Sequence, residues 1–245
     1  AGAVEFADTT YASAMSGLRA CGLLVQEKPA IDKSAEPALK EVFRRATAVR
    51  NIRVVIDTFR KSRSGDWYTP SDTADLLIAS PSKFRFEAAD LIVISDGVSV
   101  MEDSLDDDVP IQIDRYDRWI KSGSVNQTLL SYFLDGEAGY DRLVDNEKPI
   151  VFAAATEPEK AIEFRAKRLG KIIVYFVDDP AAPLPRMFQR FRVLPGSESP
   201  DAVEPSQRQY MRIVGSGPLS PSLFVIAAPK GKKVEDKRSI VGGNR

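Results

Sequence analysis

At 245 residues the chain has room for one large β domain or two small ones, and 43% apolar with 28% charged residues allows a sizeable core without disulfides or metal. A formal charge of −1, from 34 basic and 35 acidic residues, argues against a nucleic-acid partner and against a general attraction to anionic membranes. The absence of histidine removes the commonest general base, the Ser–His and Cys–His pairs and most zinc or haem sites, so neither an enzyme nor a metal or cofactor is expected.

Residues 1–33 are the least patterned. Asp8 to Leu18 can form a short helix with Tyr11, Met15 and Leu18 on one face, and the polar run around Pro29 reads as a linker. The Ala1-Gly2-Ala3 start reads as what remains after leader cleavage or trimming, and the two stay open. Cys21 is a lone thiol: Glu5 and Asp8 spoil the apolar run that a lipoprotein signal would need ahead of it. No stretch approaches the roughly 18 uncharged apolar residues of a membrane-spanning helix.

Ser34 is a good N-cap, with Glu36 and Pro37 suited to a first turn. Leu39, Val42, Phe43, Ala46 and Val49 then follow the spacing of one apolar helix face. Such a face packs on a sheet, and the same stripe would serve a lid over a cavity. Ile52 to Lys61 reads as a long strand. Leu76–Ala79, Lys83–Glu87, Leu91–Ser95 and Val98–Glu102 follow as a meander, and Asp96-Gly97 between apolar runs signals a hairpin with a type I′ turn. Strand parity puts Phe84 and Phe86 on one face and Ile92 and Ile94 on one face, leaving open which is concave. The acidic run from Glu102 to Asp108 lacks the spacing of a calcium loop and reads as a solvated turn.

Residues 114–145 change period. Tyr116, Trp119 and Ile120, then Leu129, Leu130 and Phe133, sit at helical spacing, and Gly136 or Gly139 can end or break the second piece. Strand patterns return at Ile150–Ala155, Ala161–Lys167, Lys171–Val177, Met187–Val193, Gln209–Val214 and Leu223–Ala227. The segment 230–245 is charged and reads as a polar tail. The expected fold is α+β: a large curved antiparallel sheet of about ten strands, with helices near its start and in its middle. The domain would span 34–229, with a helical insert at 114–145.

Pro81, the alternating Lys83-Phe84-Arg85-Phe86, and Ser95-Asp96-Gly97 stand in an order that resembles the LolA-type lipoprotein-carrier superfamily. The likeness covers roughly Ala35 to Val234. It implies a periplasmic or secreted half-barrel, its signal peptide removed, that holds a lipid or lipoprotein acyl chain between sheet and lid helices. It further implies a membrane-bound donor or acceptor protein as partner and no catalytic residues. An arginine that helps hold the lid belongs to the same pattern, and Arg44, Arg45, Arg50 and Arg53 lie in the corresponding region. Leu39, Phe43, Phe84, Phe86, Ile92, Ile94, Trp119, Leu130 and Phe133 are the candidate wall and lid residues. Two other classes remain: a non-catalytic interaction module on the same half-barrel with its concavity filled, and a histidine-free enzyme using paired carboxylates.

Overall fold

The computed structural model describes residues 35–62, 65–67, 72–122, 129–144, 150–153, 159–166, 170–177, 179, 182–194 and 203–239. The readings on Ser34 and on the segment 1–33 lie outside them.

Helix α1 (Ala35–Ala46) leads into a sheet whose first meander is β1 (Ile52–Arg60), β2 (Asp72–Ser80), β3 (Lys83–Glu87), β4 (Leu91–Asp96), β5 (Ser99–Ser104) and β6 (Ile111–Arg115). Three short helices follow: α2 (Tyr116–Ser122), α3 (Leu129–Leu134) and α4 (Gly136–Leu143). A second meander runs through β7 (Ile150–Ala153), β8 (Glu159–Ala166), β9 (Gly170–Val177), β10 (Met187–Val193) and β11 (Val203–Ser216), and β12 (Val234–Asp236) is the last described strand.

All twelve strands form one open sheet in the order β12-β6-β5-β4-β3-β2-β1-β11-β10-β9-β8-β7. Ten of the eleven neighbouring pairs are antiparallel, and β12 adds to β6 in parallel. The two meanders join where β1 lies along β11, from Ile52 opposite Ser216 to Arg60 opposite Gln207, with an irregularity at Arg53/Val54. This is the α+β half-barrel, with its helices on one side.

The turn after β4 differs from the expected type I′. Gly97 has φ of 99° but Asp96 does not enter the left-handed region. Ser95 pairs with Val100. The Asp96 carboxylate accepts the backbone N–H groups of Val98 and Ser99, each at 2.8 Å, so the side chain organises a longer loop.

Burial separates the two faces. On the helix side, Val54 and Ile56 of β1, Leu76 and Ile78 of β2, Phe84 of β3, Val93 of β4, Val174 of β9 and Phe188 of β10 join one cluster with the helices. On the far side, Ile94, Met101, Ile111 and Ile113 form a second cluster, with Ile92 and Ile226 packed against it. The segment expected as a final strand, Leu223–Ala227, is therefore a cover. It begins as a 3-10 turn (Pro221–Phe224), buries Phe224, and lays Ile226 on the outer face.

The expectation of a free tail after Lys230 also fails for the described part. Lys232 Nζ pairs with Asp103 at 2.7 Å, with both side chains nearly buried. Gln112 Nε2 donates to Glu235 at 2.8 Å, and Lys237 N donates to Ile113 O at 2.7 Å. These bonds hold the strap on the edge of β6, giving its backbone groups partners. Strand β12 thus extends the sheet beyond residue 229, to Asp236.

Candidate functional site

The helix-side cluster is the candidate site. α1 brings Leu39, Val42, Phe43 and Ala46 onto the sheet, as its spacing requires. Below it, Phe43 stacks on Phe133 of α3 with centroids 3.9 Å apart, and Tyr140 of α4 meets Phe43 edge-on at 5.5 Å. Phe133 in turn contacts Phe188 of β10 at 4.9 Å. One aromatic chain thus ties four elements, α1, α3, α4 and β10.

The α3–α4 corner depends on two glycines. Gly136 has φ of 58°, and a Cβ there would stand 2.6 Å from Thr47 Cγ2. A Cβ on Gly139 would stand 1.8 Å from the Tyr132 carbonyl oxygen. Only glycine lets the two helices approach this closely. The break expected at Gly136 or Gly139 is realised as this corner between two packed helices.

At the other end, α2 places Trp119 beside Phe84, centroids 6.0 Å apart, and its indole N–H donates to Glu102 Oε1 at 2.6 Å. That bond satisfies the ring's one polar atom. Tyr116 lies 6.4 Å from Trp119, and burial pushes its hydroxyl pKa up to about 12. Leu76, Phe84, Phe86, Val93, Trp119, Ser131 and Leu134 enclose a small gap between sheet and helices, with a free volume of about 10 Å³. One water molecule needs about that much.

Leu39, Phe43, Phe84, Phe86, Trp119, Leu130 and Phe133 are thus gathered in one cluster. Ile92 and Ile94 are not. Their parity is opposite to that of Val93, so they point through the sheet to the outer cluster beneath Ile226. Val93 occupies the place on β4 that they were expected to fill. Leu76, Val93, Ser131, Leu134 and Phe188 escaped sequence reasoning. Phe188 lies in the expected strand Met187–Val193, but nothing in that strand says which of its faces is covered.

None of the four arginines considered for the lid reaches this interior with its charge. Arg53 lies on the exposed face, paired with Asp75 at 2.9 Å. Arg44 is exposed and paired with Glu41, and Arg50 donates to the Thr47 carbonyl. Arg45 comes closest to a clasp: it pairs with Glu41 at 3.0 Å and donates to the Val177 carbonyl of β9 at 3.4 Å, linking α1 to the rim of the sheet.

Fold and site together define an open half-barrel whose helix-side face is an apolar layer roofed by short helices. Among solved structures, the chain is similar to a LolA superfamily protein from Nitrosomonas europaea, with 9% identity over 78% of this chain and 97% of that one, at a TM-score of 0.37. It is also similar to MucB, with 12% identity over 83% of this chain and 66% of that one, at a TM-score of 0.34. No family model matches the sequence, and no curated protein does.

Proposed function

We propose that the protein is a secreted or periplasmic carrier that holds an acyl chain, of a lipid or a lipoprotein, between the sheet and helices α1–α4. The observation that supports this is the continuous apolar wall from Trp119 and Phe84, through Leu134 and Phe133, to Phe188, which sheet and short helices share. Drug-sized ligands occupy pockets of about 300–1,000 Å³, so entry requires the helices to lift. α3 has six residues and α4 has eight, too short to be stable alone, so tertiary packing holds them in place. An acyl chain re-covers the exposed wall at about 0.8 kcal/mol per methylene. Release then needs an acceptor, a membrane or a partner protein, that offers an equally apolar surface.

A second reading has an observation of its own. Around Phe84, Trp119 and Leu134 the described side chains leave a gap of only about 10 Å³, as expected of an interaction module whose concavity is filled.

Solvent extraction of the purified protein with mass spectrometry of the extract, paired with titration of a fluorescent fatty-acid probe, separates the two. Stoichiometric lipid or saturable probe binding is expected. A clean extract with no probe binding would sink the carrier reading and leave the interaction module.

A further inference from the structure

Beyond the apolar wall, the helix side of the sheet ends in a polar corner. Phe188 and Arg190 are two residues apart on β10 and so share a face, with Arg190 roughly 7 Å further along the strand. Arg190 stands between Ile172 of β9 and Gln207 of β11. Its Nη1 donates to Gln207 Oε1 at 3.3 Å, and nearby on the same face Gln209 Nε2 donates to Thr58 Oγ1 at 3.5 Å. These partners are uncharged.

The carboxylates at this end of the sheet are engaged by other cations. Glu204 accepts Arg192 Nε at 2.9 Å and Lys61 Nζ at 3.2 Å, and Asp72 accepts Arg60 at 3.4 Å. Half-buried Arg190 therefore pairs with no carboxylate among the described residues. Burial alone lowers its pKa from the ordinary arginine value, with no anion to offset it. A cation taken partly out of water costs stability unless an opposite charge meets it. The fold itself gains nothing from the charge here, whereas a ligand anion would.

We propose that Arg190 is the headgroup site of the carrier: its guanidinium takes the carboxylate or phosphate of an amphiphile whose acyl chain lies along the wall from Phe188 through Phe133 and Leu134 toward Phe84. The inference rests on the carrier reading and adds the ligand class, an anionic single-chain lipid. The dimensions agree. From β10 to β3 the chain would cross four strand spacings, roughly 19 Å, comparable to an extended long acyl chain. Gln207, whose Oε1 accepts from Arg190, places its amide N–H group beside the guanidinium as a second, neutral donor.

The test is displacement of an uncharged apolar fluorophore from the full chain by palmitic acid, its methyl ester, a lysophosphatidic acid of equal chain length, and sodium phosphate alone. Wild type, Arg190→Gln and Arg190→Lys are compared, with thermal midpoints and ester affinity as controls of folding. A charge-assisted contact predicts that at least one of the two acids binds wild type about ten- to a hundredfold tighter than the ester. Arg190→Gln should abolish that preference without weakening the ester, and Arg190→Lys should keep most of it. Which acid is preferred tells carboxylate from phosphate. Equal binding of acids and ester, or a preference that survives Arg190→Gln, would overturn the headgroup site and leave the carrier reading standing. Displacement by sodium phosphate as strong as by the acids would replace it with a plain anion site. If no lipid displaces the fluorophore, both readings fall together.

Discussion

Phe133→Ala is the perturbation that best distinguishes a roof that lifts from a core that does not. Phe133 is fully buried, stacked on Phe43 at 3.9 Å and against Phe188 at 4.9 Å. Truncating such a side chain costs about 3–5 kcal/mol of folding stability. If α3 leaves the sheet when ligand enters, much of that loss falls on the closed arrangement and little on the open one. Apparent affinity scales with the fraction of molecules competent to bind, so each 1.4 kcal/mol removed from closure tightens binding about tenfold. After allowance for contacts that the ligand itself loses, an apolar probe should bind Phe133→Ala about ten- to a hundredfold tighter than wild type. Ile94→Ala is the matched control. Ile94 is 4% exposed but belongs to the outer cluster, so it should cost about 2–5 kcal/mol and leave probe affinity unchanged. Urea unfolding measures the first quantity and fluorescence titration the second. The reasoning is refuted if Phe133→Ala destabilises the fold without changing affinity, or if Ile94→Ala changes it equally.

Two further outcomes follow from the ion pairs. Lys232→Met strands a nearly buried Asp103 and should cost about 3 kcal/mol, while the double variant with Asp103→Leu should recover most of the loss; a double-mutant cycle by urea unfolding checks this, and a single variant costing under about 0.5 kcal/mol would contradict a docked strap. Hydrogen bonds from Arg44 and Arg45 lower the Glu41 pKa from 4.5 to about 2. Because the folded value lies below the unfolded one, this contribution is complete above about pH 4.5 and is lost as pH falls toward 2. Glu41→Gln should therefore lower the thermal midpoint slightly at pH 7 and not at pH 2, a small difference because the pair is partly exposed.

Local signals carried much of the architecture. The spacing of Leu39, Val42, Phe43 and Ala46 announces α1, and the alternation around Lys83–Glu87 with the Asp96-Gly97 turn announces the first meander, because side-chain periodicity and turn chemistry are properties of neighbours. The choice of face was not legible. Ile92 and Ile94 are as apolar as Val93, because the outer face is itself covered at Ile226, and a sheet covered on both sides loses the polar alternation that would mark its solvent face. The strap was missed for a related reason. Its composition is that of a polar tail, and it is held by Lys232, Glu235 and backbone pairing, interactions that composition does not reveal. Arg190 is likewise unmarked within Met187–Val193, because its neighbours are set by β9 and β11, which are distant in the sequence.

The seam between β1 and β11 has a consequence for how the chain is made. The central strands of the sheet come from opposite ends of the described chain. During synthesis the first meander is complete long before β11 emerges, and β1 must wait at its edge with a full row of unpaired amides and carbonyls. Such an edge is a template for any extended segment nearby, and a pairing of such high sequence separation forms slowly. The interval before Ile52 meets Ser216 is thus when the protein is most exposed to misassembly, and a variant that delays the second meander should aggregate during synthesis even if its finished fold is stable.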